Sequence, residues 1–226
     1  MNVLVLAAHP DDEALGCGGT IARLSSEGHK VTIAILGQGA ASRFPKDSTE
    51  AISEISALRE RSREAGRILG AAEVLHYDLP DNRFDSVDLL DVVKLIEEIG
   101  LRVKPDEVYT QYGGDLNVDH QITFRATMTA FRPLPDTRVR ALYSYEVASS
   151  TEWSFNQFSP KFEPDTFVDI SDFLETKLVA LAAYKDEMRA FPHPRSPEAV
   201  RALAMERGAM CGTCAAEANV TIWRRV

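Results

Sequence analysis

An apolar run near the start, Val3 to Ala8, breaks into His9-Pro10-Asp11-Asp12-Glu13 before the chain resumes as a helix. A run this short and this uniformly apolar fits a central strand of a parallel sheet, covered on both faces. The turn that ends it places one imidazole and three carboxylates side by side. Carboxylates this close repel and raise one another's pKa unless a cation or an acid/base role keeps them there. A metal site is the first expectation.

The rest of the chain continues the rhythm of that opening. A helix from about Glu13 to Gly28 is followed by a strand over Lys30 to Leu36, the pattern of a right-handed crossover unit in a doubly wound α/β fold. Gly16, Gly18 and Gly19 cost this helix propensity but allow a backbone or a ligand to come close. Further helices are expected over Ile52 to Leu69, Val87 to Ile99 (stopped by Gly100), Gln121 to Phe131, and Pro197 to Cys211. Another should be capped by Ser171 and run to about Ala190. Strands are expected at Glu73 to Tyr77, Asp106 to Thr110, Arg140 to Tyr145 and Thr166 to Asp169, with Ala218 to Trp223 an apolar tail. The expectation is one domain spanning 1–226, an α/β, Rossmann-like, mostly parallel sheet flanked by helices.

Composition narrows the partners. A formal charge of −9 over 226 residues, with no basic stripe, argues against nucleic acid and against an anionic membrane surface. The apolar start is too short for a membrane span and lacks the charged lead-in of a signal peptide, so a cytoplasmic protein is expected. Three cysteines are too few and too odd for a disulfide framework, and Cys211-x-x-Cys214 has no second ligand pair beside it; both are read as partly buried thiols.

Zinc and its divalent neighbours in hydrolases take three N or O ligands and keep a position open for water. His9 and Asp12, three residues apart on a turn, can point inward together, and His120, directly after the fourth strand, is the natural third ligand. Asp11 is then free to act as a general base. Glu13 either orients a ligand or serves as the negative first-turn residue a helix favours. An acidic capping turn with an incidental histidine is the bland alternative.

Ala8-His9-Pro10-Asp11-Asp12-Glu13 after a hydrophobic first strand, followed later by Asp115-Leu116-Asn117-Val118-Asp119-His120, closely resembles the LmbE/PIG-L family of zinc-dependent N-deacetylases. The resemblance implies a zinc ion, with Fe2+ the alternative, on His9, Asp12 and His120, and Asp11 as base. Asp119 falls beside the ligands, in their supporting shell. It also implies an N-acetylated amino sugar, or a nucleotide or thiol conjugate of one, as the small-molecule partner; a homo-oligomer is left open. Many members carry a histidine where this chain has Asn117, so the acid must come from elsewhere. His193, in the Pro192-His193-Pro194-Arg195-Ser196 turn, is the replacement offered. Arg59 and Arg195 are candidates for gripping a substrate hydroxyl or phosphate, and Asp115 and Asn117 for holding sugar hydroxyls or His120.

Two rivals come from other classes. A phosphate-binding module on the glycines after the acidic turn fails, because the turn would repel phosphate and no glycine follows the strand directly. A catalytically impaired, metal-binding interaction protein survives on the strength of Asn117.

Overall fold

The computed structural model describes residues 1–45 and 48–226. Among these residues seven strands form a single sheet: β1 (Asn2–Ala7), β2 (Lys30–Gly37), β3 (Glu73–Leu79), β4 (Glu107–Gln111), β5 (Ala141–Tyr145), β6 (Thr166–Asp169) and β7 (Ala216–Arg224). Their order is β3-β2-β1-β4-β5-β7-β6. The first five run parallel, and β7 lies antiparallel to both of its neighbours. The mostly parallel α/β architecture expected from the sequence is the one found.

The α-helices are α1 (Asp12–Ser26), α2 (Thr49–Ile68), α3 (Leu89–Val103), α4 (Val118–Ala130), α5 (Leu174–Ala183) and α6 (Pro197–Cys211). Strand β1 shows why its sequence has no polar alternation. Val3, Val5 and Ala7 pack into one core with Ala14 and Ile21 of α1, Leu58 and Ala65 of α2, and Leu181 of α5. Leu4, Leu6 and Ala8 pack into the other with Val92 and Ile96 of α3 and Ala126 of α4. Successive side chains of a strand face opposite ways, so both sets must be apolar when both faces are covered.

Several boundaries differ from the sequence reading. Helix α3 passes through Gly100 and ends at Lys104, whose left-handed φ of 50° supplies the stop. Helix α4 begins three residues early, at Val118, because Asn117 caps it with a side chain that accepts the Asp119 N–H at 2.8 Å. Ser171 does not cap α5: its hydroxyl donates to Asp169 and accepts the Ala215 N–H, and the helix runs only from Leu174 to Ala183. The C-terminal tail is strand β7, wedged between β5 and β6. Cys211 and Cys214 are exposed free thiols rather than partly buried ones, while Cys17 is buried. No helix is long and apolar enough to cross a membrane among the described residues.

Gly16 is required on α1 by contact, since a Cβ there would lie 2.1 Å from Cδ2 of Tyr145. The close approach is therefore to a buried side chain, not to a ligand.

Candidate metal and catalytic site

The strand order reverses between β1 and β4, and in open parallel sheets ligands collect at that point beyond the carboxyl ends. The two polar stretches picked out in the sequence flank it. His9 to Glu13 leave β1, and Asp115 to His120 leave β4.

His9, Asp12 and His120 come together. Asp12 Oδ2 lies 3.3 Å from His9 Nδ1 and 3.2 Å from His120 Nε2, and the two rings are 5.4 Å apart. The same oxygen accepts the His9 N–H at 2.8 Å and the Gln111 side-chain N–H at 3.0 Å. Asp12 Oδ1 is buried and has no partner among the described residues. A desolvated carboxylate oxygen without a donor is costly, so the position suits a cation.

Each histidine has a carboxylate on its far nitrogen. His9 Nε2 lies 2.9 Å from Asp119 Oδ2, and His120 Nδ1 lies 3.3 Å from Asp115 Oδ2. The His9–Asp119 hydrogen bond is the kind that orients a metal-binding imidazole, whereas His120 Nδ1 makes only a charge contact and has no hydrogen-bond partner among the described residues. The arrangement leaves His9 Nδ1, Asp12 and His120 Nε2 as one N, O, N donor set, which fits zinc or a similar divalent ion. A second grouping, His9 with Asp81 and Asp119, uses the other imidazole nitrogen.

Charges follow the packing. Burial works to lower His9, but Asp119 and Asp12 outweigh it and hold the ring well above its ordinary value. Burial likewise works to lower His120, but Asp12 and Asp115 outweigh it and carry the ring up to about 9. Burial would raise Asp12, yet His120 and His9 hold it well below the usual carboxylate range. Asp11 is pushed up to about 7 by burial, with Arg195 pulling the other way. Burial also lifts Glu13, to about 8.

The remaining candidates separate. Arg195 reaches the site, where Nη1 donates to Asp11 Oδ2 at 2.6 Å and Nε to Ser149 Oγ at 2.7 Å. Asn117 lines the cavity and donates to Asn82. Asp115 is fully buried: it accepts from Ser150, from Thr151 at 2.8 Å and from the Asn117 N–H at 2.9 Å, so it braces His120 and the loop after β5 rather than facing a ligand. Arg59 lies away from the cavity wall, paired with Asp78 at 2.6 Å. His193 is not among the lining residues; its ring packs edge-on against Trp153, and its Nδ1 accepts the Arg195 N–H at 3.1 Å.

The cavity beside His9 has a volume of about 90 Å³, with Arg43, Asp81, Asn82 and Glu187 completing its wall. The sequence reading names none of these four, nor Gln111, as a site residue. Asp81 and Asn82 lie in the loop that follows β3, which the sequence already marks as a turn-rich loop at the strand end where open sheets place ligands. Arg43 and Glu187, joined by two bonds of 2.6 Å, read in sequence like any surface ion pair.

Comparison with known proteins gives the family. The family model for PIG-L, the GlcNAc-PI de-N-acetylases, matches residues 4–131. An uncharacterized deacetylase of Escherichia coli K12, YaiS, is 29% identical over 190 residues, covering 81% of this chain and 90% of that one. The diacetylchitobiose deacetylase of Thermococcus kodakarensis is 27% identical over 217 residues, covering 93% and 79%. A conserved protein of Thermus thermophilus superposes with a TM-score of 0.78 at 26% identity, covering 100% and 96%. On the match through both polar stretches of the site, the chain belongs to the PIG-L family of de-N-acetylases.

Proposed function

We propose that the chain is a metal-dependent hydrolase that removes the acetyl group from an acetamido sugar or sugar conjugate, giving acetate and a free amine. The observation that carries this reading is the junction of His9, Asp12 and His120, with a buried, unpartnered Asp12 Oδ1, next to an Asp11 poised near neutrality. His9, Asp12 and His120 would hold zinc, or Fe2+ in its place. A divalent ion there supplies Lewis acidity, polarising the amide carbonyl and making water a better nucleophile at neutral pH.

The chain's own groups do the rest. Asp119 and Asp115 keep the two imidazoles turned toward Asp12. Asp11 takes a proton from the attacking water, and Arg195 favours its ionised form against burial and aims it. The leaving nitrogen needs a proton back, and Asn117 cannot give one. We assign that return to Asp11 itself, whose value near 7 suits both directions, with His193 as the second candidate. A cavity of about 90 Å³ holds roughly three waters' worth of volume, enough for an acetamido group, so the sugar ring lies at its mouth. Arg43, Asp81, Asn82 and Asn117 there suit hydroxyl-rich ligands. The name of the Thermococcus relative, a diacetylchitobiose deacetylase, supports a sugar of this class.

The test pairs metal content with acetate release from a panel of free and conjugated N-acetyl sugars, including diacetylchitobiose and thiol and nucleotide conjugates. Expected are one divalent ion per chain, turnover lost on chelation and regained with zinc, and a fall of about 10²–10⁴ in kcat for Asp11→Asn with metal retained. Metal without release from any sugar would favour the interaction protein, and absence of metal would overturn the site.

A further inference from the structure

Asp11 has a backbone that ordinary side chains avoid, with φ 112° and ψ −28°. A non-glycine residue stays in such a conformation only when its surroundings over-determine it. Its carbonyl accepts the N–H groups of Ala14 and Leu15 at 3.1 and 2.9 Å, which starts α1. Its carboxyl takes the Arg195 bond already described. The third hold is on its amide, which donates to Glu13 Oε2 at 3.1 Å.

Glu13 is fully buried and has no cationic partner among the described residues. A carboxyl in that position is tolerated only if donors meet its oxygens. One donor is the Asp11 amide. The other is the hydroxyl of Tyr184, which meets Glu13 Oε1 at 2.5 Å. Tyr184 is itself fully buried at the end of α5, 171 positions from Glu13 in sequence. A phenylalanine would fill the same space against the core, so packing alone does not require the hydroxyl.

We propose that Tyr184 and Glu13 are positioning residues for Asp11: the Tyr184 hydroxyl fixes the Glu13 carboxyl, which holds the Asp11 amide in its left-handed turn and thereby aims the Asp11 carboxyl at the cavity. The kinetic part of this role rests on the deacetylase reading.

Tyr184→Phe removes the donor and keeps the ring. Expected is a fall in kcat of about ten- to a hundredfold, as for a small misplacement of a catalytic group, with KM and metal content unchanged. In an Asp11→Asn background the same substitution should lower the residual kcat no further, because it acts through Asp11. An unchanged kcat in Tyr184→Phe, or an equal fall in both backgrounds, overturns the proposal. Should Tyr184→Phe not fold, Glu13→Gln, which keeps an acceptor for the Asp11 amide, is expected to retain more kcat than Glu13→Ala; equal values overturn it. If the wild type releases acetate from no sugar, the deacetylase reading falls by itself. The positioning role is then read from a crystal structure of Tyr184→Phe. Relaxation of Asp11 to negative φ supports it, and an unmoved Asp11 overturns it.

Discussion

Asp11 meets two demands that pull against each other. Its carboxyl is buried, which favours the neutral acid, and it is paired with Arg195, which favours the carboxylate. A balance near 7 would suit the proton acceptance and return that we propose for this residue. His193→Ala tests whether a second group shares that proton transfer. Turnover is expected to stay within about threefold of wild type, and a loss of about a hundredfold or more with metal retained would move the acid to His193. Much of this cluster is legible in the sequence, because His9 to Glu13 are neighbours along one turn and His120 follows a strand in the same sheet. Asp115, Arg59 and His193 are harder. Their types suit a ligand-binding role, but which partner each finds is set by where distant segments pack. Asp115 is taken up by Ser150 and Thr151, Arg59 by Asp78, and His193 by Trp153.

Helix α1 carries the site at one end and is pinned in its middle. Lys177 of α5 donates to the Leu15 carbonyl at 2.7 Å and to Glu217 of β7 at 2.6 Å. Glu217 also accepts the N–H groups of Gly19 and Thr20 at 2.9 and 2.6 Å. Both side chains are buried, so each depends on the other. Glu217→Gln is expected to destabilise the protein by about 3–5 kcal/mol, since it leaves an uncompensated Lys177, and adding Lys177→Met should recover part of the loss. Urea midpoints of the single and double variants measure both. The same pair explains why β7 reads as a tail in the sequence. A strand segment of Ala216-Glu217-Ala218-Asn219, buried throughout, makes sense only with a lysine 40 positions away to neutralise it, and no local periodicity reveals that. Composition overextends helix α5 for a related reason: the stretch after Ala183 is helix-forming in its residue types, but Tyr184 is drawn to Glu13 and Glu187 to Arg43.

For the molecule as a whole, one histidine away from the site gives the pH dependence of folding a contribution of definite sign. His76 on β3 has its Nε2 2.5 Å from Ser62 Oγ, and burial, then Arg63 and Arg59, push its pKa down to about 4. An unfolded histidine titrates near ~6.5, so between those values the unfolded chain binds the extra proton. Stability from this residue is therefore complete above about 6.5 and is lost as the pH falls toward 4. His76→Gln is expected to flatten the fall in urea midpoint between neutral and mildly acidic buffer; an identical slope would remove His76 as its source. The global architecture is the most legible level of all, since apolar runs, glycine stops and the order of elements dictate a doubly wound sheet without reference to side-chain partners. The place of β7 adds a constraint of another kind, one of timing. Strand β6 touches the sheet only through β7, whose first residue follows the last of β6 by 47 positions, from 169 to 216. During synthesis β6, α5 and α6 all leave the ribosome before β7, the strand through which β6 joins the sheet. Until it arrives, β5 presents a bare edge and Lys177 lacks its counter-charge, so this last closure is the step at which a nascent chain is most exposed to mispairing with another copy.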